Sequence, residues 1–321
     1  MRPIHPIPSG TRDVLADEMR ELRAISSAMR SALEDHGYAE VYTPAIEYES
    51  EVGRLAGGAG AYRLFDDHGS VLQLRSDLTV PIARVATTRY ADVAPPLRFC
   101  AVAHVYRAVR PHRGQMREEL QVGAELIGSP GPEGTVEVLT VLCRALDAAG
   151  LRSYRIGLGD AELYPDLMEA AGVPPERRAA LLDALVARDF VRLAHAAEGL
   201  DPLVADVPQR RGGVEVLADL PAAGGLRDVH AALAPDVASR VIFDLGLVRD
   251  LHYYTGAVFE VYDPAMGTPI GGGGRYDDLL GRLGRPLPAV GFAVGVDALH
   301  VALAGEEQGE EAGALATGGT A

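Results

Sequence analysis

Apolar positions near the start of the chain recur in steps of three and four, which predicts an amphipathic helix. These positions are Leu15, Met19, Leu22, Ile25, Met29 and Leu33. Gly37 is well placed to end the helix, because glycine readily adopts the left-handed conformation found at helix C-termini. Residues 38–43 then alternate between apolar and polar, which predicts a strand that stops at Pro44.

Further along, short apolar runs predict strands and longer periodic runs predict helices. The strands cover residues 71–74, 97–106, 120–127, 153–158, 241–244, 253–261 and 289–295, and the helices cover 136–149 and 297–303. Residues 107–119 are polar and contain Pro111 and Gly114, which predicts a hairpin with a long loop between the second and third strands. The glycine run 271–274 is typical of a tight bend.

Residues 163–240 differ in composition from the rest of the chain. Ala and Leu dominate there and Pro and Gly pairs interrupt the pattern, which predicts a helical insertion of three or four short helices. The insertion separates a first part of the core, 1–162, from a second part, 241–305. Residues 306–321 lack apolar periodicity and are expected to form a disordered tail. Strands joined by hairpins and flanked by helices favour an α+β fold with an antiparallel sheet.

The composition is that of a globular protein, with 48% hydrophobic and 23% charged residues among 321. The 45 Asp and Glu outnumber the 30 Lys and Arg, and the net charge of −15 argues against non-specific binding to nucleic acid or an anionic membrane. The net charge does not exclude a local basic groove. Every cation is an Arg, and a chain without Lys has neither a Walker-type phosphate loop nor a Schiff-base lysine.

Cysteine and histidine positions do not indicate a metal site or a cofactor. Cys100 and Cys143 lack a CxxC spacing and are expected to be reduced, buried thiols. The nine His lack the HxxxH or HExxH spacing of zinc sites. No apolar run reaches the ~18 residues of a membrane span, and residues 1–10 lack the apolar core of a signal peptide. We therefore expect a cytoplasmic protein.

Polar side chains interrupt segments that are otherwise apolar. Asp77 and Thr79 are two residues apart and share a face if their segment is extended. On the strand after the hairpin loop, Gln121 and Glu125 point the same way, and Gly123 between them leaves an empty slot. This pattern is typical of a pocket for a small polar ligand. A structural salt bridge with an arginine explains the Glu125 carboxylate equally well.

Residues 247–256 combine charged and aromatic side chains. His252 lies close to Asp250, which suggests a general base, but no serine or cysteine motif accompanies the pair. Tyr253 and Tyr254 are at least as consistent with core packing as with ligand binding. Each of these segments is ambiguous when it is taken singly.

Taken in order, the motifs resemble the catalytic core of histidyl-tRNA synthetase, a class II synthetase fold, over nearly the whole chain. The matching segments are PSGTRD at 8–13, YTP at 42–44, YRAVRP at 106–111, QVGAE at 121–125, LVRDLHYYTG at 247–256, GGRYD at 273–277 and AVGFAVG at 289–295. The YTP segment ends what looks like the family's dimer-forming element. The resemblance therefore implies a class II synthetase-like fold and a homodimer.

The resemblance also implies a histidine-binding pocket. Asp77 and Thr79 stand where the family holds the α-amino group of its ligand. Gln121 and Arg107 would face the α-carboxylate, to which a guanidinium binds well. The full implied set is Asp77, Thr79, Arg107, Gln121, Glu125, Arg249, Tyr253, Tyr254 and Tyr276.

The imidazole end of this implied pocket consists of Glu125, Tyr254 and Tyr276. A carboxylate that accepts the ring N–H, with a phenol on the other side, suits an imidazole. Arg249 stands at the position of the synthetase's activation arginine.

The half of the implied site that would bind ATP departs from the synthetase pattern. Ala298 replaces an arginine that contacts the ATP phosphates, Glu119 replaces a phenylalanine that stacks on adenine, and Gln115 replaces a further arginine of the loop. In the family a C-terminal anticodon-binding domain follows this core, and we expect this protein to lack it. We therefore expect neither tRNA binding nor aminoacylation.

A histidine pocket without ATP chemistry resembles that of the regulatory subunit of ATP phosphoribosyltransferase, a synthetase paralogue. That resemblance implies a non-catalytic protein that senses histidine and is required by a short-form catalytic subunit for the first step of histidine biosynthesis. It also implies a homodimer within a larger hetero-oligomer. The alternative is a truncated synthetase-like enzyme that activates histidine or a related acid with ATP, using Arg107 and Arg249.

Overall fold

The computed structural model describes residues 7–49, 55, 60–109, 116–247 and 253–317. In chain order, its helices and strands are α1 (Ala16–Asp35), β1 (Ala39–Glu40), β2 (Ile46–Tyr48), β3 (Arg63–Phe65), β4 (Val71–Leu74), α2 (Thr79–Thr88), β5 (Leu97–Tyr106), β6 (Glu118–Ile127), α3 (Glu133–Ala149), β7 (Arg155–Asp160), α4 (Leu163–Ala170), α5 (Pro175–Val186), α6 (Phe190–Ala196), α7 (Leu203–Asp206), β8 (Arg211–Gly212), α8 (Gly224–Ala232), α9 (Pro235–Ala238), β9 (Val241–Asp244), β10 (Ala257–Tyr262), β11 (Gly271–Arg275), α10 (Leu279–Arg282), β12 (Ala289–Gly295) and α11 (Val296–Thr317).

A large sheet organises these elements, with its strands in the order β1-β5-β6-β12-β11-β10-β7-β9-β8. The central pairs are antiparallel, whereas β1 with β5 and β7 with β9 are parallel. The predicted α+β fold is confirmed, and the parallel pairs make the sheet mixed rather than purely antiparallel. A small antiparallel sheet, β2-β4-β3, lies beside it, and the sequence predicts only its middle strand.

The β5–β6 hairpin forms as the sequence predicts, and it divides the core into two faces. Its strands pair over their full length. Val122, Ala124 and Leu126 of β6 are buried in the core that contains α1 and α3. Because side chains alternate along a strand, Gln121 and Glu125 point to the opposite face, which α2 covers.

Helix α1 packs its apolar stripe against α3 and the large sheet. Its buried apolar residues are Leu22, Ile25, Met29 and Leu33. Leu15 precedes the helix in extended conformation and is 73% exposed, so the predicted stripe begins one turn too early. Gly37 follows the helix with a φ of +83°, and its N–H binds the Glu34 carbonyl.

The glycine run 271–274 forms the interior strand β11 rather than the predicted bend. Neighbouring groups approach these residues so closely that side chains do not fit. A Cβ on Gly273 would lie 2.0 Å from the Gly291 carbonyl oxygen, and one on Gly274 would lie 2.7 Å from the Tyr254 ring. The glycines therefore serve close packing across the sheet, not a change of chain direction.

Helix α11 continues to Thr317, whereas the sequence predicts a helix over 297–303 and a disordered tail from 306. The Glu306 carboxylate explains part of the difference, because it accepts the backbone N–H groups of Arg152 at 3.1 Å and of Ser153 at 2.6 Å. This contact ties the helix to the turn before β7. Within the described residues, α11 and the other helices lack the combination of length and apolar character needed to cross a bilayer.

Between β7 and β9 the chain forms six short helices, α4–α9, where the sequence predicts three or four. Helices α4–α7 share a buried cluster that includes Tyr164, Met168, Leu181, Leu185, Leu193 and Val204. Arg188 follows α5 and donates to the Glu260 carboxylate of β10 at 2.9 Å. The helical segment is thus linked to the central strands of the large sheet.

Candidate functional site

A cavity of about 280 Å³ lies on the face of the large sheet that α2 covers. It is lined by Asp77, Leu78, Thr79, Arg107, Glu119, Gln121, Tyr253, Tyr254, Glu260, Pro269, Ile270, Gly271, Gly272, Gly273, Tyr276, Gly291, Phe292, Ala293 and Gly295. Seven of the nine residues that the resemblance implies for histidine binding are in this set. Arg249 lies outside the described residues, as do Asp250 and His252.

Glu125 lies beneath the cavity wall on β6 and is 2% exposed. Its Oε1 accepts the Thr79 hydroxyl at 2.6 Å, and its Oε2 accepts the Tyr276 hydroxyl. Burial raises the pKa of Glu125 to about 8, although both hydrogen bonds favour the charged form. Within the described residues no cation pairs with this carboxylate, which argues against the salt-bridge explanation for every arginine that the structure describes.

Gly291 makes room for the Glu125 carboxylate. The two residues face each other across the β6–β12 pair, and a Cβ on Gly291 would lie 1.6 Å from Oε2. Any other residue at position 291 would therefore displace the carboxylate from its two hydroxyl partners. The sequence shows this requirement only as one glycine within an apolar strand.

Three tyrosines form the aromatic side of the cavity. The Tyr253 ring packs against Tyr254 and Tyr276, with centroids 4.9 and 5.7 Å apart. Burial raises the pKa values of Tyr253 and Tyr276 well above their ordinary value, so both phenols stay protonated and can donate hydrogen bonds. The tyrosines therefore contribute both to core packing and to the lining of the cavity.

Asp77 and Thr79 line the same cavity, but not on one face of a strand. Asp77 precedes α2 and accepts the Val80 backbone N–H at 2.9 Å, while Thr79 is the first residue of that helix. Burial raises the pKa of Asp77, and the charge of Arg107 opposes that shift. The Asp77 carboxylate is therefore held by the start of the helix and directed toward the cavity.

The slot predicted at Gly123 is not empty. A Cβ there would lie 3.0 Å from the Phe292 carbonyl oxygen and 3.4 Å from Leu78 Cδ1. The space beside this glycine is filled by the residue that precedes α2. The cavity lies instead between the starts of α2 and β11 and the tyrosines.

Arg107, Gln121 and Glu119 form the polar end of the cavity. Arg107 Nη1 lies 3.3 Å from Glu119 Oε2, and the Gln121 side-chain amide donates to the same oxygen at 2.7 Å. Arg107 also donates to the Ser76 carbonyl at 3.3 Å. Its side chain is 48% exposed, so this end of the cavity opens to solvent.

Glu260 is a lining residue that sequence reasoning missed. It lies on β10 and accepts hydrogen bonds from Arg188 at 2.9 Å and from the Tyr262 hydroxyl at 2.6 Å. A single carboxylate within the apolar strand Ala257–Tyr262 is the signal that would have found it. The wall of Gly271, Gly272 and Gly273 was missed as well, because a glycine run favours a bend.

The described residues contain no group of three or more His, Cys, Asp or Glu with the geometry to hold a metal ion. Hydroxyls, carboxylates and one guanidinium dominate the polar lining of the cavity. Such groups suit a small ligand that carries both positive and negative charge.

Comparison with known proteins identifies the family. The histidyl-tRNA synthetase family model matches residues 10–299. A curated relative from Symbiobacterium thermophilum, named ATP phosphoribosyltransferase regulatory subunit, is 42% identical, with 94% of this chain and 80% of the relative covered. A relative of the same name from Moorella thermoacetica is 37% identical, with 98% and 84% covered.

Solved structures agree with this result. An ATP phosphoribosyltransferase regulatory subunit/histidyl-tRNA synthetase from Bacillus halodurans superposes with a TM-score of 0.86 at 30% identity, covering 94% of this chain and 84% of that one. A histidine–tRNA ligase subunit from Alicyclobacillus acidocaldarius superposes with a TM-score of 0.78 at 33% identity, covering 96% and 99%. This chain therefore belongs to the histidyl-tRNA synthetase family and, within it, to the ATP phosphoribosyltransferase regulatory subunits.

Proposed function

We propose that this chain is a non-catalytic subunit that assembles in the cytoplasm with a separate, short-form ATP phosphoribosyltransferase catalytic subunit. The catalytic subunit then performs the first step of histidine biosynthesis, and this chain reports the histidine level to it through the cavity. The observation that carries the histidine assignment is the buried Glu125 carboxylate, which two hydroxyls hold and which no described cation neutralises.

The cavity suits free histidine in size and in charge. About 280 Å³ is close to the lower end of small-molecule sites, which span roughly 300–1,000 Å³. Glu125 lies directly behind Thr79 and Tyr276, which line the cavity, so a ring that reaches between these two side chains can donate its N–H to the carboxylate. A positively charged ring would also relieve the cost of ionising a buried carboxyl. Asp77 is placed to bind an ammonium, and Arg107 is the cation available to a carboxylate.

The half of the site that a nucleotide would need supports a non-catalytic function. The Glu119 carboxylate occupies the region between Arg107, Gln121 and the end of β12, where it repels phosphate groups. Ala298, near the start of α11, offers no charge to a phosphate. Retention of Arg107 favours the alternative of histidine activation with ATP, and a pyrophosphate-exchange assay with histidine separates the two. Robust exchange would contradict the regulatory function.

An exposed apolar surface supports a homodimer. Tyr42, Ile46, Tyr48 and Phe65 lie in and next to β1, β2 and β3, and all four are at least half exposed. Large apolar side chains grouped in this way are typical of protein interfaces. We propose that a second copy of the chain covers them and that the dimer enters a larger hetero-oligomer with the catalytic subunit.

Reconstitution tests the proposed function. Phosphoribosyl transfer is measured for the short-form catalytic subunit alone, with this chain, and with this chain plus histidine. We expect activity to require this chain and histidine to lower it. With Glu125→Gln the complex should assemble and be active but respond less to histidine. A catalytic subunit that is fully active without this chain would refute the proposal.

A further inference from the structure

The Glu119 carboxylate accepts hydrogen bonds from the two side chains that a ligand carboxylate would need as donors. Its Oε2 is 3.3 Å from Arg107 Nη1 and 2.7 Å from the Gln121 amide nitrogen. Among the described residues that line the cavity, Arg107 is the only cation. A side chain of the protein therefore already occupies the place where the negative end of an amino acid would bind.

The backbone around Glu119 is shaped to admit this carboxylate. A Cβ on Gly295, at the end of β12, would lie 2.3 Å from Glu119 Oε1. Glu119 and Gln121 are two residues apart on β6, so both side chains leave the strand on the face of the cavity. The carboxylate thus fits between β6, β12 and Arg107.

Stability does not account for this arrangement. The Arg107 side chain is 48% exposed and that of Glu119 is 29% exposed. Ion pairs with this much access to solvent contribute little to folding, because water screens the charges and two flexible side chains lose entropy. The same access to solvent lets Glu119 leave Arg107 at small cost when another anion arrives.

We propose that Glu119 is an internal competitor for the ligand carboxylate and thereby lowers the affinity of the cavity for histidine. The inference rests on the proposed histidine-binding function. A histidine carboxylate that enters takes the place of Glu119 on Arg107 and Gln121, and the Glu119 side chain turns toward solvent. An imidazole amine without a carboxylate binds without this exchange. Glu119 consequently sets the concentration range over which histidine is sensed.

Titration calorimetry with two ligands tests the proposal. L-histidine and histamine share the imidazole and the amine, and only histidine has a carboxylate. Wild type and Glu119→Gln are compared, with Glu118→Gln as the matched control, because Glu118 is the adjacent carboxylate on the opposite face of β6. We expect Glu119→Gln to bind histidine about two- to fivefold tighter, the range for release of one exposed ion pair. Histamine should bind no tighter, and the control should change neither affinity.

Each outcome of this titration either supports or overturns the proposed competition. Tighter histidine binding without a gain for histamine supports the competitor. Equal gains for both ligands, or unchanged histidine affinity in a folded Glu119→Gln protein, overturn it and leave the histidine pocket intact. No histidine binding by any of the proteins overturns this inference together with the proposed function. Melting curves establish folding, and Glu119→Ala, which empties the position, serves as a second variant.

Discussion

Glu125→Gln is expected to stabilise the protein at alkaline pH while it weakens histidine binding. The carboxyl has a pKa of about 8 in the fold, against 4.5 for an ordinary glutamate. Each pKa unit corresponds to about 1.4 kcal/mol. Ionising this carboxyl therefore costs the fold on the order of 4–5 kcal/mol once the pH exceeds 8. A glutamine keeps partners for Thr79 and Tyr276 and avoids that cost.

The direction in which stability changes with pH follows from the number of protons that the folded and unfolded chains bind. Below pH 4.5 the carboxyl is protonated in both the folded and the unfolded chain, so Glu125 makes no pH-dependent contribution. Between pH 4.5 and 8 the folded chain holds its proton while the unfolded chain loses it, so this contribution to stability falls as the pH rises. The difference in free energy of unfolding between Glu125→Gln and wild type should grow over this window and level off above pH 8.

Glu125→Gln should lower the affinity for histidine although it raises stability. Above pH 8, where Glu125 is ionised, a hydrogen bond to this charged acceptor contributes about 1.5–3 kcal/mol, so Glu125→Gln should there bind histidine roughly tenfold to hundredfold more weakly. Denaturant unfolding at several pH values measures the first effect, and titration calorimetry measures the second. Glu137→Gln is the matched control, because the Glu137 carboxylate has a cation partner where Glu125 has none. Arg98 pairs with Glu137 at 2.7 Å, and this pairing lowers the pKa of Glu137. This control should lose stability at neutral pH and keep its histidine affinity.

The reasoning would be refuted by a Glu125→Gln protein that is less stable than wild type at pH 8–9. That result would mean that the carboxylate stabilises the fold through an attractive charge, as the salt-bridge explanation requires. Unchanged histidine affinity in a folded variant would refute the ligand contact independently of stability.

Three further changes have distinct expected outcomes. Asp77→Asn can still accept the Val80 N–H but lacks the charge for an ammonium, so histidine affinity measured by calorimetry should fall about tenfold; a smaller change than twofold would contradict the assignment. Ala298→Arg adds a cation beside Glu119 that should draw its carboxylate away from Arg107, so calorimetry should show histidine binding up to about fivefold tighter; weaker binding would contradict this expectation. Phe65→Glu places a charge on the exposed apolar surface, so we expect wild type to sediment as a dimer and the variant as a monomer; a variant that stays dimeric would place the interface elsewhere.

The sequence predicts the hairpin and its polar face well because both depend on local periodicity. Apolar and polar or glycine positions alternate along β6 from Glu119 to Leu126, and this alternation alone puts Gln121 and Glu125 on one face. The hydrogen-bond partners of Glu125, Thr79 and Tyr276, are 46 and 151 residues away from it in the sequence. Only the order of the family's motifs indicates that these residues belong to one site. Periodicity contains no information about contacts at such separations.

Local propensity misleads at two positions of the site. The start of α2, Thr-Val-Pro-Ile, is rich in β-branched residues and suggests an extended chain. It is helical because proline is tolerated in a first turn and because Val80 and Ile82 become fully buried. The run that forms β11 suggests a bend, yet contacts from both neighbouring strands hold it extended. In both places packing between distant segments overrides the local preference.

The glycine wall constrains how this site can change over generations. Gly271, Gly272 and Gly273 line the cavity, and Gly291 adjoins Glu125. A position that already holds glycine has no smaller residue to mutate to, and an added Cβ on this wall meets the backbone of a neighbouring strand or the Glu125 carboxylate, so the wall cannot recede to enlarge the cavity. A descendant that accepts a bulkier ligand must gain space from the α2 side or from the tyrosines. Loss of the pocket, in contrast, is within reach of a single substitution in the wall.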